Sequence, residues 1–305
     1  MNTFPDRTTA GGGFDGERAW TLVDVLTSAT TWLESRGEGS RLDAELLLSD
    51  TLGLTRIQLY TNFDKPLTAQ ERERFKVRLR RKAAGEPVAY ILGWKDFMRH
   101  RFRVTRDVLI PRPDTETLVE LAIAHATARM RSGYRILDVG TGSGCIAVSL
   151  GSALPDALVE AWDVSDGALA VAQSNAETAK VANLRLHKRD MLSSQSWQLD
   201  AADAKWDLIV SNPPYLAASK ASQLDRSVVE FEPGLALFGG DHGLDHIEAL
   251  AMGARECLSI EGRLMIEIAF DQAAAAGEVL RKHGWRNIAV EKDLERRDRV
   301  LVAQR

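Results

Sequence analysis

The sequence holds only two cysteines, Cys145 and Cys257, in 305 residues. Neither belongs to a CxxC pair or stands among clustered histidines, so the spacing supports neither a disulfide framework nor a zinc site. No apolar run approaches the ~20 residues that a bilayer-spanning helix needs. The opening segment MNTFPDRTTAGGGFDGER also lacks the apolar core of a secretory leader. A cytoplasmic protein without membrane attachment is the expectation. Positive charge is scarce too, with 39 Lys and Arg against 43 Asp and Glu for a formal net charge of -4. That is the wrong sign for a protein that holds long nucleic acid by its phosphates, so stable nucleic-acid binding is not expected.

What is present suits a folded enzyme. Hydrophobic residues at 45% and charged residues at 27% exclude global disorder, and the length fits about two domains. Residues 1–18, rich in Gly, Thr and Asp, read as a flexible tail. From Trp20 onward Leu22, Val25, Leu26, Ala29, Trp32 and Leu33 recur at helical spacing. A second helix is expected in RLDAELLLSDTLGL, and a third opens at Thr68, where Thr68 and Glu71 match a capping box. Helices this short are marginal alone, so residues 19–85 are expected to pack as a small bundle. Gly85 and Pro87 close it, and residues 86–112, aromatic and β-rich with Gly and Pro between, read as a β-hairpin linker.

Between 113 and 305, short β runs alternate with helical stretches, the signature of a mainly parallel sheet covered on both faces. Seven strands are expected, in RILDVG, VEAWDV, LRLHKRD, WDLIVSNP, GRLMIEIA, RNIAVEKDL and RVLVAQ. The last two lie too close together for a crossover helix, which favours an antiparallel hairpin at the sheet edge.

The first of these strands runs into Asp138-Val139-Gly140-Thr141-Gly142-Ser143-Gly144, and a helix follows from Cys145. Glycines let a backbone turn tightly and approach a ligand, and free N–H groups at a helix start favour an anionic group. The spacing is GxGxG, not the GxGxxG of a dinucleotide fingerprint. This form, with its aspartate two residues ahead, resembles the first motif of class I S-adenosylmethionine-dependent methyltransferases. The resemblance implies S-adenosyl-L-methionine as cofactor, held by Gly140, Thr141, Gly142, Ser143 and Gly144. A turn that needs glycines only for strand-to-helix packing is the plainer alternative, and Cys145 reads as a packing residue, not a nucleophile.

Asp163 closes the second strand at the carboxyl edge, where open α/β sheets bind ligands and a carboxylate can accept both hydroxyls of a ribose. A helix cap or solvated loop acid is the competing reading. Asp190 and Met191 are placed near the adenine by the resemblance alone, with a surface-loop role nearly as plausible for each.

Asn212-Pro213-Pro214-Tyr215 follows the apolar strand DLIVS. Two prolines cannot continue a ladder, so the chain must leave the sheet there in a stiff turn at the edge that carries the glycine loop. An amide nitrogen is a poor nucleophile because its lone pair is delocalised, the effect behind the ~18–20 kcal/mol barrier to peptide rotation. A site can instead accept hydrogen bonds from the amide N–H groups with the Asn212 oxygen and the Pro213 carbonyl, and hold the amide plane against Tyr215. Fixed near-attack geometry can supply about 7–11 kcal/mol of such a barrier. Asn212, Pro213 and Tyr215 are therefore the expected catalytic set, Pro214 joins them in binding substrate, and Asn212 also borders the cofactor. No metal is required.

PVAYILG at 87–93, IPRPDTE at 110–116, VSNPPY and EPGLALFGG together resemble the release factor glutamine methyltransferase family, called PrmC or HemK. That resemblance implies a seven-stranded Rossmann-like domain behind a helical one. It also implies a substrate, the glutamine in the GGQ loop of class I peptide chain release factors, with the helical domain helping to hold the factor. NPPY alone would equally suit a ribosomal protein glutamine or DNA adenine. Arg112 and Glu116 would shape the pocket entrance, or IPRPDTE is only a turn and helix start. The basic run ERERFKVRLRRKAAG reads as a solvated helix face before it reads as a dock for an acidic partner. The family often carries glycine where Ala269 and Arg296 stand here, which leaves two local loop conformations open.

Overall fold

The computed structural model describes residues 19–198 and 205–305, so the tail expected at 1–18 lies outside the described residues. The chain divides into two compact units, Met1–Gly93 and Trp94–Arg305. Among the described residues no helix is long and apolar enough to cross a membrane.

The first unit is helical: α1 (Leu22–Glu34), α2 (Arg41–Leu52), α3 (Arg56–Thr61), α4 (Ala69–Ala83) and α5 (Val88–Leu92). Thr21, Ser40, Thr55 and Thr68 each open a helix with a complete capping box, which satisfies backbone donors that the helix itself leaves free. The apolar stripe from Trp20 delivers Leu22, Leu26 and Leu33 into a core shared with Leu47, Leu48 and Phe75. The six-residue α3 lies between the second and third helices expected from sequence and is too short to show periodicity. The segment expected as a hairpin linker divides at Gly93. PVAYILG forms α5, entered at Pro87 and stopped by left-handed Gly93 (φ 80°), the usual placing of these two residues at helix ends. The basic run lies on α4, where Arg78 pairs with Asp50 at 2.6 Å and Arg81 with Glu86 at 2.7 Å.

The second unit opens with an antiparallel hairpin, β1 (Trp94–Phe97) and β2 (His100–Arg103), followed by α6 (Thr115–Thr127). Then come β3 (Arg135–Val139), α7 (Cys145–Ala153), β4 (Leu158–Asp163), α8 (Asp166–Thr178), β5 (Leu184–Lys188) and β6 (Trp206–Ser211). The chain ends with α9 (Arg226–Phe231), α10 (Asp245–Cys257), β7 (Leu258–Glu267), α11 (Ala273–Lys282), β8 (Arg286–Lys292) and β9 (Asp298–Gln304). The seven strands β3–β9 form one sheet in the order β5-β4-β3-β6-β7-β9-β8. All neighbours are parallel except around β9, which runs antiparallel to both β7 and β8. Apolar residues alternate along the central strands. Ile136, Leu208 and Val210 pack with Leu118 of α6 and Val148 of α7, while Leu137, Ile209 and Ile266 pack with Leu250 of α10 and Leu280 of α11. Both faces are thus covered, as a largely parallel sheet requires.

The strand order reverses between β3 and β6, the switch point at which open α/β sheets form a crevice beyond their carboxyl ends. Val139 and Ser211 are register partners there, and the Ser211 hydroxyl donates to the Val139 carbonyl at 2.7 Å.

Of the two departures from the family pattern, Arg296 keeps a left-handed backbone (φ 65°) in the loop between β8 and β9. Asp293 holds that loop by accepting from the backbone N–H groups of Glu295 and Arg297, both at 2.9 Å. A side chain in this conformation costs roughly 1–2 kcal/mol that glycine does not incur. Arg296→Gly is therefore expected to raise unfolding free energy by about 1 kcal/mol, read from urea denaturation; an unchanged or lowered midpoint would contradict the strain assigned here.

Candidate active site

Asn212 leaves the sheet immediately after Ser211, and Gly140 immediately after Val139, so strand pairing alone sets the two segments side by side. The glycine loop is held from behind. Gly140 and Thr141 donate their N–H groups to the Trp162 carbonyl, both at 2.9 Å, and the Thr141 hydroxyl donates to Asp138 Oδ2 at 2.7 Å. Gly140, Gly142 and Gly144 all have positive φ, at 77°, 54° and 80°, which explains the alternation as a backbone requirement. A Cβ on Gly142 would meet nothing within 4 Å, whereas one on Gly144 would press on Ala172 of α8 at 3.0 Å. Gly142 thus leaves its backbone open to the crevice, and Gly144 serves helix packing.

A crevice opens at this edge of the sheet. Gly140, Thr141, Gly142, Ser143, Asp163, Asp190, Met191, Asn212 and Pro214 line it, and Gly144 does not. A second cavity is lined by Pro213 and Tyr215, and Asn212 and Arg112 border both. The residues singled out in the sequence are therefore gathered at one sheet edge, sorted into two adjoining spaces with Asn212 between them.

Asp163 accepts from the Gly142 N–H at 2.8 Å through Oδ2 and from the Ser165 N–H at 3.0 Å through Oδ1. Each oxygen keeps a further lone pair for a ligand hydroxyl. Burial raises its pKa while the backbone donors at Ser165, Gly142 and Val164 oppose that rise. Asp190 accepts from the Leu192 N–H at 2.9 Å, and Met191 places its Cε where a Cβ on Gly140 would meet it at 3.0 Å. The Asn212 Nδ2 donates to the Thr115 hydroxyl at 3.1 Å, which leaves Oδ1 for a ligand. Burial pushes the Tyr215 phenol upward, so it is neutral and presents a ring, not a base. Burial likewise raises the Cys145 thiol to about 12, in keeping with packing and not with a nucleophile.

Three residues of this region were not marked by sequence reasoning. Asn175 of α8 is buried and donates to the Ser143 carbonyl at 2.8 Å and to the Arg103 carbonyl at 3.0 Å, tying the glycine loop to the hairpin. Its signal was one polar residue on the stripe that Ala168, Val171, Ala172 and Ala176 otherwise fill. Glu232, in EPGLALFGG, accepts from Arg112 at 2.5 Å and from the Ile110 N–H at 3.2 Å, joining the two loops that form the entrance. His246 lines the crevice with a buried Nδ1 that has no hydrogen-bond partner among the described residues.

These features fit a nucleoside bearing an amino-acid tail. The open backbone at Gly142, the carboxylate of Asp163 and the orphan His246 nitrogen give a ligand of that kind polar contacts along the crevice.

Family models match the chain as Methyltransferase small domain over residues 116–230 and as PrmC N-terminal domain over residues 24–93. Fold and site thus define an α/β methyltransferase. Release factor glutamine methyltransferases from Geobacter sulfurreducens and Koribacter versatilis are 41% and 39% identical, over 92% and 93% of this chain and 96% and 99% of theirs. One from Chlorobaculum tepidum is 39% identical over 93% of this chain and 97% of its own length. The chain belongs to the release factor glutamine methyltransferase family. Among solved structures, ribosomal protein L11 methylase from Lactobacillus delbrueckii subsp. bulgaricus is 21% identical with a TM-score of 0.46, covering 67% of this chain and 84% of that one. A likeness so distant adds nothing to the assignment.

Asp138, at the end of β3, offers a test of the site's electrostatics. It is fully buried, and burial raises its pKa to about 7 against the opposing hydrogen bond from Thr141. The folded value lies above the unfolded one, so this group's contribution to stability is complete below the unfolded pKa and disappears as pH climbs through about 7. Asp138→Asn is expected to flatten the loss of thermal midpoint between about pH 4 and 7, measured by melts at several pH values; an identical slope in both proteins would refute it.

Proposed function

We propose that this enzyme transfers a methyl group from S-adenosyl-L-methionine to the side-chain amide nitrogen of the glutamine in the GGQ loop of a class I peptide chain release factor, in the cytoplasm. The observation that supports this most is the place of Asn212 on the wall common to both cavities. One space suits a nucleoside, and the other, beside Pro213 and Tyr215, suits a flat side chain. The relatives' printed name points to the same substrate.

Bound in the larger crevice, S-adenosylmethionine supplies an electrophilic methyl carbon on a sulfonium. Asp163 is proposed to accept from the ribose hydroxyls with the lone pairs that Gly142 and Ser165 leave free. Of the residues that line the crevice, Gly140, Thr141, Gly142 and Ser143 would hold the amino-acid end, and Asp190, Met191 and His246 the base. On the other side Asn212 Oδ1 and the Pro213 carbonyl accept from the two N–H groups of the target amide, while Pro214 and Tyr215 flank its plane. These acceptors are neutral, so they would orient the amide without deprotonating it. Orientation of this kind, away from bulk water, is what a weak nucleophile requires. The helical unit around Trp20 to Ala84 is proposed to hold the body of the factor.

Mass analysis of a purified release factor after incubation with enzyme and cofactor is expected to show one added methyl group on the GGQ glutamine. Methylation of duplex DNA or of a ribosomal protein in its place would overturn the substrate assignment. Asn212→Ala removes a preorganised acceptor and is expected to slow turnover about 10²–10³-fold with a much smaller change in cofactor affinity. Normal turnover in that variant would remove Asn212 from the mechanism.

A further inference from the structure

Behind Asn212 stands a buried acid that the transfer chemistry does not use. Glu267 ends β7 beside β6, is 1% exposed, and its Oε2 has no hydrogen-bond partner among the described residues. Its carboxyl faces the Thr115 hydroxyl and the Asn212 amide. Arg299, the cation whose charge reaches it, is taken up by Asp293 at 3.1 Å and Asp114 at 3.0 Å. An acid kept in the interior without an ion-pair partner opposes stability, which is how a group retained for a site and not for the fold is expected to look.

The geometry gives it a task. A hydroxyl can accept from an amide nitrogen or donate to an amide oxygen, so the contact between Asn212 and Thr115 does not by itself decide which end of the amide points outward. The carboxyl decides it. Once Thr115 donates its proton to Glu267, its oxygen can only accept, and Asn212 must turn Nδ2 toward it, as observed at 3.1 Å. We propose that Glu267 is the positioning residue of the transfer site, acting through Thr115 to hold Asn212 with its nitrogen toward the sheet and its oxygen toward the cavity. An ionised Glu267 also draws the Asn212 N–H groups toward negative charge, which strengthens Oδ1 as an acceptor. The inference rests on the proposed role of Asn212 as the acceptor that orients the substrate amide.

Protonation would release this hold, because a neutral acid can donate to Thr115 or to Asn212 Oδ1 and so permits the flipped amide. Burial raises the Glu267 pKa to about 7, opposed by Thr115, Arg299 and Asn212. The ionised, orienting form therefore accumulates as pH rises through about 7, and activity should fall on the acid side. The other charged or titratable groups that face it are Arg299 on β9 and Asp114 before α6, which pair with each other, Tyr215 after β6 and Cys145 on α7. Burial holds the last two neutral through this range.

The full chain with Glu267→Gln, and separately with Thr115→Val, tests the proposal by two readouts. In ligand-free protein the Asn212 side-chain amide, assigned by its loss in Asn212→Ala, is followed by nitrogen-15 NMR. Its resonances are expected to titrate with a midpoint near pH 7 in the wild type and to be insensitive to pH in Glu267→Gln. In turnover, both variants are expected to lose about 10–100-fold in kcat, the scale seen when groups that orient metal ligands are removed, with cofactor affinity preserved. The acid limb of the kcat profile should vanish in Glu267→Gln. If the wild type methylates no release factor, the proposed function fails while the resonance titration still decides the positioning role. An Asn212 resonance that ignores both pH and the substitution, or wild-type kcat with an unchanged acid limb, overturns the inference.

Discussion

The pairing of β3 with β6 is the constraint on which the site depends. These strands are parallel neighbours in register from Ile136 with Leu208 to Val139 with Ser211, and both stop at the same level of the sheet. One departs through glycines with left-handed backbones, the other through two prolines that have no N–H to donate to a further rung of the ladder. Two incompatible ways of leaving a sheet are thus placed side by side, and the crevice between them needs no side chain to open it. The Ser211 hydroxyl closes the seam by donating to the Val139 carbonyl.

Around that seam the interior carries acids that a stability criterion alone would remove. Asp138, Asp163 and Glu267 lie at the carboxyl ends of β3, β4 and β7, and burial raises the pKa of all three. Among the described residues none of the three forms an ion pair, and only Glu267 feels a cation, Arg299. Each instead meets the site: Asp138 through Thr141 in the glycine loop, Asp163 through the Gly142 N–H, and Glu267 through Thr115 and Asn212. The stability that supports them comes from elsewhere, from the apolar layers on the two faces of the sheet, each worth a few kcal/mol per large buried side chain. The division is spatial: strand middles are apolar and packed, and strand ends are polar and aimed.

Much of this was legible in the sequence because local chemistry dictates it. The seven strands follow from short apolar runs, the edge hairpin of β8 and β9 from the lack of a crossover helix between them, and the start of α4 from Thr68 three residues ahead of Glu71. The gathering of Gly142, Asp163 and Asn212 at one edge follows once the parallel order is known. What was not legible depends on contacts between distant positions. The Glu232 tie to Arg112 spans loops that sequence spacing does not connect, and α3 is shorter than the period that would reveal it. Asn175 and Glu267 left only a faint trace, a polar residue on an otherwise buried face. Whether such a residue is a defect, a cap or a tether is decided by which backbone carbonyl or side chain arrives opposite it.

Arg296 shows the same logic from the opposite side. Its left-handed backbone is imposed by neighbours, with Asp293 gathering the N–H groups of Glu295 and Arg297 and also receiving Arg299. A sequence rule that reserves this conformation for glycine would expect the loop to change shape with the residue. Arg296 is held in this conformation because several hydrogen bonds, each worth about 0.5–1.5 kcal/mol, together outweigh the roughly 1–2 kcal/mol of one strained residue. Asp293 binds the same Arg299 whose charge reaches Glu267, so the turn at the far end of β8 also fixes a cation that acts on the acid behind Asn212. A local irregularity is therefore retained where it keeps a long-range arrangement in place.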